Sequence, residues 1–422
     1  MRAYVWVVIT GIIVRATVIA LQPGPLHLHE LEPSVIARNL NEGRGFTFEQ
    51  YGAMYRAWKE PLSIVLLAQL TRWTGEQPWL IVLVQSAFGI GAALGVALIA
   101  RRLFGPSGRA ILAGIIAAAN PFLVYYDTHC IHPLSLDALL FVAVVATLLS
   151  VVPIRGKGMS GVAASGFLMG VALWQRASLL ASGVASWLAG LACAGRRDRG
   201  VVARRFVVWV SLAVLVIAPW VIRNYRLFGR VVLTTDAAHI FWLGNNPWSN
   251  GTYSDMAGQR VIAHADPAFL AKLRGASEVE QSDLFWAEAA RFIREHPGRF
   301  AGLVVRRLWA FVWFSPNAGI EYAAWQGLLY RVAYIGLLTL GLLGFVGFWQ
   351  RAGPEGRCRA LLLGAAVAGL AAVHAVTAIN LKHRVPLELV LSLFAAEALA
   401  RGLARTRGAL NAVRMREQKG EP

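Results

Sequence analysis

The sequence predicts an all-α polytopic membrane protein, a single integral membrane domain over residues 1–422, and three observations predict it. Hydrophobic residues make up 57% of the chain, charged residues 15%, and mean hydropathy is +0.53, too apolar for a water-soluble domain of this length. Apolar stretches close to the ~20 residues that cross a bilayer as a helix recur from one end to the other. Arginine is concentrated in the short segments between them, as in a chain threaded back and forth through a membrane.

Taken in order, the apolar stretches lie at about 3–21, 79–100, 109–126, 134–153, 159–175, 178–194, 205–222, 328–349, 359–378 and 385–403. They make about ten crossings, within a range of roughly nine to twelve. A further stretch, 299–314, is interrupted by Arg306 and Arg307 and reads as an interfacial helix. The first stretch lacks a small-residue cleavage site and carries Arg15, so it reads as a retained signal anchor. Inside a span, Arg15 needs a buried partner or a path to the interface.

The formal net charge of +18 does not point to nucleic acid, because the arginines sit between apolar stretches rather than on one soluble face. Arg101, Arg102 and Arg109 share one loop, Arg155 and Lys157 another, Arg196 to Arg205 a third, and Arg351, Arg357 and Arg359 a fourth. By the positive-inside rule these loops are cytoplasmic, together with the basic tail 404–422. Ten spans put both termini of this multi-pass cell-membrane protein in the cytoplasm. Residues 22–78 and 223–327 then form two extracytoplasmic loops. The three cysteines, Cys130, Cys193 and Cys358, imply no disulfide framework.

Both outer loops carry amphipathic surface helices. In the first, Ile36 and Leu40 recur at helical spacing before Gly43 and Gly45, and His27, His29, Glu30 and Glu32 lie just ahead of them. A second surface helix follows Pro61, after Arg56 and Lys59. In the long loop, Gly229 to Tyr253 reads as short extended pieces broken by a GNNP turn. Leu284, Phe285, Ala289, Phe292 and Ile293 then mark a helix ending before Pro297. Between the last two spans, NLKHRVP places Lys382, His383 and Arg384 in an outward turn, against the positive-inside bias, and so invites an anionic partner.

Several blocks occur in a fixed order: HELEPSVIARNLNEGRGF, WKEPL, PWVIRNYRLFGRVV, FWLGNNPWSNGTY and HRVPLELVLSLFAAE. Together they resemble the GT-C membrane glycosyltransferases that use polyprenyl-phosphate sugars, the family 39-like group containing protein O-mannosyltransferases and lipid A aminoarabinose transferases. The resemblance implies a polyprenyl-phosphate sugar donor and an inverting hexosyl or pentosyl transfer outside the cytoplasm. The acceptor would be a hydroxyl on a glycan, a lipid or a protein. An acidic residue within an Asp-Glu pair is expected at the start of the first outer loop, and the matching pair here is His29-Glu30. A neutral histidine supplies no anionic base, so the role passes to Glu30, with Glu32 second. A further acid is expected after the third span, where this chain has His132-Pro133, with Asp127 or Asp137 to compensate. Lys59 matches the basic residue that contacts the lipid-linked phosphate, while Glu60 stands where proline is more usual.

Transfer from such a donor makes the lipid phosphate the leaving group, so fixed cations lower the barrier by stabilising its developing charge. Lys59, Arg223, Lys382 and Arg384 are the candidates, with Asn224, Tyr225 and His383 in support. Arg223 and Arg226 have a second reading as arginines snorkelling from a helix end. His27, His29, His129 and His132 fall toward the outer face without the spacing of a metal site, which leaves a divalent metal open and assigns it no ligands. Trp242 and Trp248 read as interfacial anchors or, alternatively, as sugar platforms. Besides donor, acceptor and membrane lipids no partner is implied. The rival class is a flippase or transporter of lipid-linked glycans, which internal repeats would favour.

Overall fold

The structure, a computed structural model, describes residues 4–22, 26–152, 158–315 and 324–419. From the N-terminus come α1 (Val5–Ala20), α2 (Glu32–Asn41), a hairpin of β1 (Phe48–Gln50) and β2 (Ala53–Tyr55), and α3 (Leu62–Thr74). Then follow α4 (Pro78–Phe104), α5 (Gly108–Ala118), α6 (Pro121–His129), α7 (Leu134–Val151), α8 (Met159–Leu173), α9 (Leu179–Cys193) and α10 (Arg199–Phe228). The long loop contributes α11 (Asp236–Gly244), α12 (Pro267–Arg274), α13 (Glu278–Glu295) and α14 (Pro297–Val312), before α15 (Ala324–Arg351), α16 (Pro354–Val376) and α17 (Val385–Lys419).

Each of the ten apolar stretches is helical, which makes the chain an all-α polytopic membrane fold. Among the described residues five helices, α4, α7, α10, α15 and α16, are long and apolar enough to cross a membrane by length and composition. A sixth span results if α5 and α6 are one crossing bent by 45°. Pro121 opens α6 and the Asn120 side chain caps it at the Leu123 N–H (3.0 Å), so the break is built into the sequence. Helices α1, α8 and α9 are apolar but only 15 or 16 residues long. In α17, Glu388, Glu397 and Arg401 interrupt the apolar run.

Helices meet through small residues, as expected where lipid supplies no hydrophobic drive for helix association. A Cβ at Gly369 of α16 would collide with the Ala181 carbonyl of α9, and one at Gly344 of α15 with the Phe394 carbonyl of α17. The loops sort to two ends. Arg359 donates to the Arg102 carbonyl (2.8 Å), and Arg109, Arg351 and Arg401 surround Glu397, so the basic loops 101–109 and 351–359 gather at one end, while Arg155 and Lys157 lie outside the described residues. Helix α4, 27 residues and about 40 Å long, separates that end from the outer loops.

Two departures from the sequence reading concern the outer loops. Gly229 to Tyr253 is not a series of extended pieces. It contains α11, whose Ala238, Trp242 and Leu243 pack on Phe269 of α12 and Phe285 of α13 in a core of their own. The β1–β2 hairpin turns through Tyr51 (φ 52°) and Gly52 (φ 75°), the doubly left-handed two-residue turn that matches strand twist. Three-residue strands are too short for alternation to announce them. Helices α2, α3, α13 and α14 lie where periodicity placed surface helices. Arg307 of α14 is fully buried, donating to the Ala375 carbonyl (2.9 Å) and to Asn245 Oδ1 (3.0 Å), whereas Arg306 is exposed.

Candidate active site

Lys59 is placed by a cross-tie between the two outer loops. Glu278, in the first turn of α13, accepts the backbone N–H groups of Arg56 (2.6 Å) and Ala57 (2.9 Å) and the Thr235 hydroxyl (2.8 Å). The Thr235 N–H in turn reaches the Ala57 carbonyl (2.9 Å). These bonds set Lys59 against Asp236, and the ammonium donates to Asp236 Oδ2. Burial pulls the Lys59 pKa down, but Asp236 and Glu32 together outweigh it and the pKa is raised. Burial pushes Asp236 up, yet Lys59 and His239 leave it below the ordinary carboxylate value. His239 Nδ1 stands 3.8 Å from Asp236 Oδ1, and its Nε2 is 2.9 Å from the Tyr51 hydroxyl.

The second cation comes from the turn Leu381–Arg384, where the Asn380 side chain caps the Lys382 N–H (3.2 Å). His383 is buried and stacked on His374 of α16 at 3.6 Å. Lys382 Nζ lies 3.1 Å from His132 Nε2 and has no carboxylate partner among the described residues. Burial, then the neighbouring Lys59 and Arg176, bring its pKa down to about 8. The same burial, with Lys382 the largest charge acting on it, holds His132 well below the ordinary imidazole range.

Arg176 completes the group from the turn between α8 and α9. Its guanidinium donates to Asp137 Oδ2 (2.5 Å) while Gln175 donates to Asp137 Oδ1 (2.7 Å). Glu60 accepts the Ala177 N–H (2.9 Å), and the Leu62 N–H reaches the Trp174 carbonyl (2.9 Å), so this turn is zipped to the Lys59 loop. Burial raises the Glu60 pKa. Tyr253 joins from the long loop, where its turn docks through the Ile379 N–H on the Gly251 carbonyl (3.1 Å). Its phenol, pushed up to about 12 by burial, feels Lys59, Asp236, Arg176 and Glu32.

Two voids meet at this group. A cavity of about 320 Å³ is lined by Asp137, Arg176, His374, Lys382 and His383 with apolar side chains below. A groove of about 530 Å³ runs between α3 and α4 along Leu66, Leu70, Ile81, Val84 and Phe88, and His132 stands at its head. The groove itself is lined by no cation, but His132 in its wall touches Lys382 of the cavity at 3.1 Å, so an apolar tail and an anionic headgroup have neighbouring sites here.

Of the residues singled out in the sequence, Lys59, Lys382, His132, Asp137, His383 and Glu32 converge here. Glu32 opens α2, is half-buried, and makes no hydrogen bond or ion pair among the described residues; its charge acts on both Lys59 and Lys382. The others have different partners. Glu30 is exposed and held by Arg38 (2.9 Å), which also holds Glu76 (2.9 Å). His29 is exposed, its backbone bridging to His129 and Ile131. Asp127 is buried and clamped by Arg15 (2.6 and 2.9 Å), which explains a charged residue inside the first span. Arg223 donates to the Arg56 carbonyl (2.9 Å) and Asn224 Oδ1 (2.7 Å) and lies over Trp220; Asn224 ties the helix end to Val232 and Leu233, and Tyr225 is exposed. Arg384 is fully buried, donating to the Trp313 carbonyl (3.0 Å) and the Tyr330 hydroxyl (2.6 Å), with Glu388 at 3.4 Å, so it anchors the start of α17. Trp242 is a core residue.

Sequence reasoning missed Arg176, Asp236, Tyr253 and Glu278. Arg176 carried a usable signal, since the ten-span reading puts it in a short outward loop, against the same charge bias that singled out Lys382. The other three are brought in only by the packing of the long loop.

Among the described residues no three His, Cys, Asp or Glu side chains come together as ligands of one metal ion. His129 stacks on Tyr125 and meets Gln22, while His132 meets Lys382.

No family model matches the sequence, and no curated protein matches it at a significant level. In three dimensions the chain is similar to the oligosaccharyltransferase of Archaeoglobus fulgidus, solved with Zn and sulfate, at a TM-score of 0.51 and 15% identity. The match covers 95% of this chain and 49% of that one, so the chain spans about half its length. It is also similar to ArnT of Cupriavidus metallidurans bound to undecaprenyl phosphate, with a TM-score of 0.45, 16% identity, and coverage of 94% and 77%. Its ten apolar stretches, all helical, and the outer loops folded over one end give the chain a membrane fold like that of the Archaeoglobus fulgidus oligosaccharyltransferase.

Proposed function

We propose that this protein transfers a sugar from a polyprenyl-phosphate carrier to an acceptor hydroxyl at the extracytoplasmic face of the membrane, both termini lying in the cytoplasm. One observation carries the reading: Lys382, a partly buried amine without a carboxylate partner among the described residues, lines a cavity shared with Arg176 and Asp137, feels the charge of Lys59, and touches His132 of the apolar groove. A phosphodiester between a sugar and an isoprenoid chain supplies the anion and the tail that this site suits, and its lipid monoester is what leaves.

The isoprenoid lies along Leu66, Leu70, Ile81, Val84 and Phe88. Its phosphate meets Lys382 and Lys59, with Arg176 behind. The acceptor oxygen bonds to the anomeric carbon as the bond from that carbon to the phosphate oxygen breaks, inverting the centre. Lipid phosphate leaves with the bonding electron pair, and the cations stabilise its charge. Glu32 takes the acceptor proton. Glu32 replaces Glu30 in this role because Arg38, which also holds Glu76, occupies Glu30 at the surface.

The test uses the purified full-length protein in nanodiscs with a panel of polyprenyl-phosphate hexoses and pentoses and a membrane extract as acceptor source. Formation of a glycosidic product, lost in Lys382→Met and Glu32→Gln, is the expected result. Movement of lipid-linked sugar across the bilayer without product supports a flippase instead.

A further inference from the structure

At the end of the bundle away from this cavity, three arginines from three helices share one buried carboxylate. Glu397 of α17 has a side chain 3% exposed, and it accepts Arg109 Nη1 of α5 (2.8 Å), Arg351 Nη2 of α15 (3.3 Å), and Arg401 Nε and Nη2 of α17 (2.7 and 2.5 Å). A Cβ on Gly347 would strike the Arg401 guanidinium, so α15 packs directly against it. Arg109 is also held over the Phe104 ring at 5.9 Å. The guanidiniums are therefore oriented by a fixed acid and by packing, and are not free to roam the surface.

The three positive charges and one negative leave a local excess of two. Each guanidinium has five N–H donors, and Glu397 occupies only the inner ones. The outer edges remain open, with side chains 39% exposed at Arg109, 53% at Arg351 and 25% at Arg401. Arg102 and Arg359 extend the basic face, the Arg359 guanidinium lying on the Arg102 carbonyl at 2.8 Å. Arg102 and Arg351 close α4 and α15 and Arg109 opens α5, and arginines at the ends of such apolar helices stand at headgroup depth in a bilayer, with Arg401 of α17 beside them. A pre-oriented pair of excess charges at that depth matches a phosphate diester that is negatively charged and held in the membrane plane, and does not match zwitterionic choline lipid.

We propose that the arginine ring of Arg109, Arg351 and Arg401 around Glu397 is a binding site for the headgroup of an anionic phospholipid. The site lies at the other end of the bundle from the Lys382 cavity and does not depend on the transfer reaction. It ties the start of α5 and the end of α15 to the middle of α17.

Native mass spectrometry of the detergent-purified full-length protein, titrated with phosphatidylglycerol or phosphatidylcholine, tests it. Phosphatidylglycerol should be retained in preference, and Arg351→Gln and Arg109→Gln should each lower that preference by about fivefold, the effect of removing one cation from an anionic headgroup contact. Arg351→Lys, which keeps the charge, should retain most of it, and this variant separates a headgroup contact from a general loss of folding. Equal retention of the two lipids, or an unchanged preference in both glutamine variants, overturns the proposal. So does displacement of phosphatidylglycerol by equimolar inorganic phosphate, which would mark the ring as a site for a free anion.

Discussion

Lys382 Nζ and His132 Nε2 lie 3.1 Å apart, while His132 Nδ1 accepts the Leu134 N–H at 3.0 Å. With Nδ1 acting as acceptor, a neutral imidazole carries its proton on Nε2 and presents a donor to the amine. The neutral amine accepts that proton, but the ammonium has nothing to accept with. The contact thus favours the uncharged amine, in line with the downward shift to about 8. An arriving phosphate reverses the preference, because it accepts from the ammonium and lets Lys382 turn from His132.

Anion binding is therefore linked to proton uptake by Lys382. Undecaprenyl phosphate should bind well at pH 7 and progressively less well above pH 8, as the free protein's amine loses its proton. Isothermal titration calorimetry in two buffers of different ionisation enthalpy measures the uptake directly. Lys382→Met should abolish the pH dependence along with most of the affinity.

The same shift has a stability consequence of the opposite sense. Because the folded-state pKa lies below the ordinary 10.5, the folded chain pays a desolvation cost below about pH 8, and stability rises as pH increases from 8 toward 10.5. At pH 7, Lys382→Met should stabilise the unliganded protein by about 1–3 kcal/mol, reduced from the full shift by partial exposure. Thermal unfolding at pH 7 and pH 10 should differ for wild type and converge for the variant.

The two candidate carboxylates should separate cleanly. Glu32→Gln is expected to lower the transfer rate by about 10²–10⁴, the range for loss of a positioned general base. Glu30→Gln should leave it within about threefold, since an exposed ion pair such as that with Arg38 is worth at most about 1 kcal/mol. Initial rates with one donor and acceptor pair decide between them, and an equal loss in both variants would remove Glu32 from its role.

Asp127 should behave as a structural residue. Removing its partner in Arg15→Ala leaves a buried carboxylate, at a cost of about 3–5 kcal/mol. The combined change to Arg15→Met and Asp127→Leu should recover much of that loss. Folded yield and unfolding temperature report both.

Glu278 is expected to act as a positioning residue for Lys59. Glu278→Ala frees the backbone N–H groups of Arg56 and Ala57 and the Thr235 hydroxyl, at about 1–3 kcal/mol for each group left buried and unpaired. Donor affinity should fall, and Glu278→Asp should restore part of it.

The membrane fold was legible in the sequence because a bilayer imposes a length and a polarity that can be counted residue by residue. All ten apolar stretches became helices, and two of the loops grouped by arginine content, 101–109 and 351–359, meet at one end, as Arg359 on Arg102 shows; Arg155 and Lys157 lie outside the described residues. Lys59 and Lys382 were legible too, the first by its block and the second by a charge in the wrong kind of loop. Arg384 shared that signal, yet Tyr330, Tyr334 and Glu388 enclose it, and neither α15 nor its aromatic residues could be placed beside it from spacing alone.

By itself the sequence determined which segments are helical, which loops share an end, and that cations and acids accumulate in the outer loops, since each of these follows from local hydropathy and charge. Only the tertiary structure decided which acid meets which cation. Lys59 finds Asp236 at 177 positions' separation, Arg15 finds Asp127 at 112, and Glu30 is taken by Arg38 only eight residues away. Such pairings depend on how helices pack and how the long loop folds over their ends, and a buried charge accepts whichever partner that packing delivers.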